Sequence, residues 1–138
     1  MKLRYLLDTN ILSEPAQQRP NQRIIERLKA ETLACATAAP VWHELMYGMK
    51  RLPRGKRQEE LEAYLTDVVQ ASFPILSYDQ SAAAWHGAER ARLEKLGKTV
   101  SFVDGQIAAI AIVNGLELVT ANAKDFRRFK GLALNGWR

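Results

Sequence analysis

Along the chain, short continuous apolar runs alternate with longer stretches in which apolar residues recur every three or four positions, the pattern of buried strands alternating with helices. Leu3, Tyr5, Leu6 and Leu7 predict a first strand that stops at Asp8. Leu33-Ala34-Cys35-Ala36, Ile75-Leu76 and Leu116-Glu117-Leu118-Val119-Thr120 predict three more, and Leu132-Ala133-Leu134 a last edge strand. Between them, a short helix near Ile11 is held back by Pro15 and Pro20. Asn21 is placed to cap a helix over Arg23 to Ala30, whose stripe is Ile24, Ile25 and Leu28. Pro40 suits the first turn of a helix running to Met49, with Val41, Leu45 and Met49 on one face. Glu59 to Val69 reads as a helix with Leu61, Leu65 and either Val68 or Val69 turned inward. Ser81 to Leu96, capped by Ser81 and ended by Gly97, is another. The last, Ser101 to Val113, is apolar almost all round, as in a helix buried within a domain. The expected fold class is α/β, with parallel strands and one domain over residues 1–138.

At 138 residues and 47% hydrophobic, the chain has the material for one real core. No apolar run approaches a membrane span, and the N-terminus lacks a signal-peptide core, so no membrane association is expected. The single cysteine, Cys35, rules out an internal disulfide and fits a reducing cytoplasm. A net charge of +5 and a pI near 9.6 make a polyanion a sensible partner. The connector Lys50-Arg51-Leu52-Pro53-Arg54-Gly55-Lys56-Arg57 concentrates that charge, either as a solvated loop or as a phosphate-contacting arm.

Four acids occupy related places: Asp8 after the first strand, Glu44 early in the helix after the second, Asp104 near a helix start, and Asp125 after the fourth strand. In a parallel sheet with right-handed crossovers these positions converge on one edge, where ligands collect. The plainer alternative is that Asp8 and Asp104 merely cap helices. Gly48, four residues after Glu44, leaves either an open site or room for another backbone. A carboxylate cluster in a basic chain calls for a hard divalent cation, Mg2+ or Mn2+ in its place, which binds oxygen ligands and needs no His or Cys. His43 and His86 lack zinc-site spacing and read as structural or surface residues. A dehalogenase-like phosphotransferase would need an acid at Asn10, a receiver domain an acidic pair beside Asp8, and a nucleotide site a glycine-rich loop. Metal-assisted phosphodiester hydrolysis is the chemistry that fits; a binding module without cleavage is the alternative.

Leu7-Asp8-Thr9-Asn10-Ile11-Leu12-Ser13, Glu44-Leu45 with Gly48, Asp104 followed by Ile107-Ala108-Ala109 and Ala111, and Thr120-Ala121-Asn122 with Asp125-Phe126 resemble the successive motifs of PIN-domain ribonucleases, most of all the VapC-type toxins of bacterial type II toxin-antitoxin pairs. The resemblance runs over nearly the whole chain. It implies a three-layer α/β/α fold, Mg2+-dependent endoribonuclease activity on RNA, a homodimer, and neutralisation by a cognate antitoxin that crosses the active cleft. By position it makes Asp8 and Asp104 direct metal ligands and Glu44 a further or water-mediated one. It makes Asp125 the fourth acid, with Asn122 as another possible oxygen ligand. The ending Leu134-Asn135-Gly136-Trp137 resembles the family's Asn-Pro-Trp finish with Gly for Pro.

Overall fold

The computed structural model describes residues 2–137; Met1 and Arg138, the ends of the expected domain 1–138, lie outside them. Five strands, β1 (Tyr5–Leu7), β2 (Cys35–Ala38), β3 (Ile75–Leu76), β4 (Glu117–Val119) and β5 (Leu134–Asn135), form one sheet in the order β3-β2-β1-β4-β5. Every pairing is parallel, with Leu6 opposite Ala36 on one side and Leu118 on the other. β1, β2 and most of β4 are wholly buried, so their side chains alternate between two covered faces and are apolar on both, apart from Thr37 of β2. The helices are α1 (Thr9–Leu12), α2 (Gln22–Glu31), α3 (Ala39–Lys50), α4 (Lys56–Tyr64), α5 (Gln80–Lys95), α6 (Phe102–Val113) and α7 (Ala123–Phe126). They flank the sheet, giving the α/β fold class expected. α6, with Ile107 to Ala111 all buried, is the core helix, and α5 lies along it.

Several boundaries differ from the expected ones for local reasons. Thr32–Ala34 is a 3-10 turn that throws Leu33 outward, 71% exposed, so β2 begins at Cys35 and continues through Thr37, whose hydroxyl donates to the Leu7 carbonyl at 2.8 Å. Asp79 rather than Ser81 caps α5, accepting from the Ala82 amide at 2.9 Å. The helix expected from Glu59 starts at Lys56 and widens to a π-helical segment over Leu65–Gln70, which turns Val69 inward and leaves Val68 exposed. The edge strand falls at Leu134–Asn135 because pairing with Leu118 and Val119 sets its register. Among the described residues no helix is long and apolar enough to cross a membrane.

β1 is central. Chain order runs from it outward to β2 and β3 on one side, then returns to β4 on the other. The chain reverses direction across the sheet between β1 and β4, and the crevice at this switch point lies outside the strands' carboxyl ends.

Candidate active site

Asp8 leaves β1 directly into this crevice. Its extended backbone makes it the N-cap of α1, with Oδ1 accepting from the Thr9 amide at 2.8 Å, so the capping expected of it is real. Capping uses one oxygen only. Oδ2 accepts from the Thr120 hydroxyl at 2.8 Å and from the Asn10 carboxamide at 3.3 Å. The residue is 6% exposed, and burial pushes its carboxyl above the ordinary range, opposed by those hydrogen bonds and reinforced by the charge of Glu44.

Asp104 is not the cap of its helix. Ser101 holds that role, accepting from the Asp104 amide at 3.2 Å, which leaves the Asp104 carboxylate free in the first turn of α6. Its pKa rises from 3.8 to about 6, first through burial and then through the charges of Asp8, Asp125 and Glu44. Glu44 reaches the same space from the exposed face of α3, where its Oε2 accepts from the Thr9 hydroxyl at 2.8 Å. Asp125 stands in α7, with its amide bonded to the Asn122 carbonyl at 3.0 Å, and Asn122 is exposed at the start of that turn. The four acids thus act electrostatically on one place although they are spread over the chain.

Three residues without an expected role shape this arrangement. Thr120, 1% exposed at the end of β4, orients Asp8 and also accepts from the Asn122 amide at 3.0 Å. Asn10 ties the two crevice loops together, its carboxamide oxygen accepting from the Ala121 amide at 2.9 Å. Thr9 fixes Glu44. Their partners lie up to 112 residues away, so no local pattern announces them. Of the histidines, His43 is exposed and His86 buried, bonded to the Tyr78 hydroxyl at 2.8 Å and packed so tightly on Gly105 that a Cβ there would collide with its ring. Gly48 has open space: a Cβ would meet nothing within 4 Å.

The donor set consists of oxygen alone, and no salt bridge among the described residues pairs Asp8, Glu44, Asp104 or Asp125 with a basic side chain. Nor are any three acidic, His or Cys side chains among the described residues close enough together to hold a metal ion between them. Uncompensated charge with an open first shell suits a hard cation that keeps several waters and takes one or two carboxylates directly. It does not suit zinc, which takes four tetrahedral ligands.

Comparison with known proteins agrees with this architecture. The PIN domain family model matches residues 5–132. "Toxin FitB" of Neisseria gonorrhoeae is 30% identical over 135 residues, covering 96% of this chain and 97% of that protein. The "tRNA(fMet)-specific endonuclease VapC" of Salmonella typhimurium is also 30% identical, over 98% of both chains. The DNA-bound VapBC crystal structure from Salmonella typhimurium superposes with a TM-score of 0.87 at 29% identity, covering 99% of each chain. With the family model matched over residues 5–132 and relatives 30% identical along nearly their whole length, this chain belongs to the PIN-domain family.

Proposed function

We propose that this protein is a Mg2+-dependent endoribonuclease of the VapC type, the toxin of a type II toxin-antitoxin pair. The observation that carries the proposal is Asp104, whose carboxyl is displaced upward by burial and, beyond that, by the charges of three other acids. Such mutual repulsion is costly without a counter-charge, and functional sites are where it is tolerated. Asp8 and Asp104 would hold the cation, Glu44 and Asp125 would contact it through water, and Asn122 is within the same loop. When bound, Mg2+ or Mn2+ supplies Lewis-acid stabilisation of charge building on a phosphoryl oxygen and lowers the pKa of a water. The chain's own part is orientation. Thr120, Asn10 and the Thr9 amide fix Asp8, Thr9 fixes Glu44, and among the described residues no salt bridge satisfies the acids in place of a cation.

A silencing antitoxin belongs to the same reading, supported by the name of the Neisseria relative and the VapBC complex of Salmonella, and a homodimer is proposed with it from the family resemblance alone. The test is cleavage of RNA by the purified protein with and without Mg2+, with matched DNA beside it. Asp8→Asn and Asp104→Asn are expected to lose cleavage and growth inhibition while keeping the parent circular-dichroism spectrum. Cleavage by either variant at the parent rate would remove the ligand assignment, and RNA binding without any metal-dependent turnover would make the protein a binding module.

A further inference from the structure

Beside the acids, α3 and α6 enclose a groove of about 390 Å³ lined by Pro40, His43, Glu44, Tyr47, Val103 and Gln106. We propose that this groove is a nucleobase subsite for single-stranded RNA, in which a base next to the scissile phosphate stacks on Tyr47 and presents its edge to Gln106. The proposal rests on the ribonuclease reading and deepens it. Isolated exposed apolar side chains are ordinary, so the 59% exposure of Tyr47 is not an argument by itself. Its setting is. Tyr47 follows Glu44 by three residues, one turn along the same helix, so the ring stands next to the carboxylate that forms the groove's other polar wall.

The ring is also held in place. Arg51 lies over it, 5.3 Å from the centroid, and His43 meets it edge-on at 6.4 Å, so little side-chain freedom remains to be lost on stacking. Arg51 places a guanidinium over one face of the ring, and Lys50 and Arg54 are its near neighbours along the chain, which suits the phosphates flanking a base stacked beside it. Gly48 keeps the adjoining flank of α3 open. Val103 supplies an apolar contact for a base, and Gln106, two residues beyond Asp104, offers both a donor and an acceptor. Aromatic stacking next to positive charge is how single-stranded nucleic acid is held, and duplex RNA, with its bases stacked internally, does not present a free base face.

Binding is measured by fluorescence anisotropy with labelled single-stranded RNA of mixed sequence, on the cleavage-deficient Asp104→Asn protein with and without Tyr47→Ala or Tyr47→Phe. Tyr47→Ala is expected to weaken binding by roughly 5- to 100-fold, and Tyr47→Phe to stay within about twofold of the parent, because the ring face is what stacks. In the cleaving protein, Tyr47→Ala is expected to lower kcat/KM without moving the Mg2+ concentration for half-maximal rate, and Gln106→Ala to change which base is preferred beside the cut. Equal RNA affinity for Tyr47→Ala and parent would overturn the subsite. So would an unchanged affinity accompanied by a shift in sedimentation, which would make the groove a contact between copies of the chain. If the parent cleaves no RNA with Mg2+ and Asp104→Asn binds none, the ribonuclease reading itself has failed; if the parent cleaves and Tyr47→Ala matches it, only the subsite has.

Discussion

Asp104→Asn should make the metal-free protein more stable while removing its activity. The carboxyl's displacement from 3.8 to about 6 corresponds to about 3 kcal/mol between its two protonation states. Asp104 is only half-buried, and screening by the adjoining water trims this to about 1–2 kcal/mol. Asparagine keeps the shape and removes the charge, and for a chain of 138 residues that gain is about 3–8 °C in Tm. The direction with pH follows from the raised folded-state value. Below pH 3.8 the group is protonated in both folded and unfolded chains and costs nothing. Between 3.8 and about 6 the folded chain retains the proton that the unfolded chain has lost, so parent stability falls as pH rises, and the full penalty stands above 6. The assay is thermal unfolding of both proteins in EDTA at pH 4 and pH 7.5, then at pH 7.5 with Mg2+. The expected gap is wide at pH 7.5 and closed at pH 4, and Mg2+ should raise the parent more than the variant, since a ligand stabilises only the state that binds it. A variant that melts at or below the parent at pH 7.5, or a gap of equal size at both pH values, would refute the claim that burial and the neighbouring acids together destabilise the Asp104 carboxylate.

Thr120→Val removes the hydroxyl that donates to Asp8 and accepts from the Asn122 amide; a loss of about 10–100-fold in Mg2+ affinity or cleavage rate is expected, read from a Mg2+ titration of RNA cleavage. Gly105→Ala drives a methyl into the His86 ring and should lower stability by about 1–3 kcal/mol in urea unfolding, most of it recovered when His86→Ala is added. Glu89→Ala frees Arg92 from its paired bonds at 2.6 and 2.8 Å and leaves the Lys130 amide without its 2.7 Å acceptor, at a cost of about 1–3 kcal/mol. Because the bond from Arg92 holds the Glu89 carboxyl below 4.5, its contribution is present above that pH and is lost as pH falls through the lowered value, so parent and Glu89→Ala should converge in acid unfolding.

Strand and helix alternation was legible because burial on both faces of a parallel sheet leaves continuous apolar runs, and because α2 and α3 keep their apolar residues on one stripe. Apolarity alone did not say where a run begins to pair: Leu33 is as apolar as its neighbours, yet it lies in the turn before β2. The four acids could be named from their places after strands and near helix starts, since the end of a strand is a local property. Whether Asp8 or Asp104 served as a cap was not local. That depended on Ser101 taking the cap of α6, and on Asp8 having a second oxygen left over for Thr120.

By itself the sequence determined the order of the five strands and of every helix but the short α7, the basic character of the chain and which acids follow strands or open helices, because each is written in composition or in short-range periodicity. Tertiary structure alone decided the strand order that opens the crevice between β1 and β4, the hydroxyls that aim Asp8 and Glu44, and the groove that sets Tyr47 beside Gln106. The reason is range: hydrogen bonds and charges act over a few ångströms in space, and these partners are 35 to 112 positions apart along the chain.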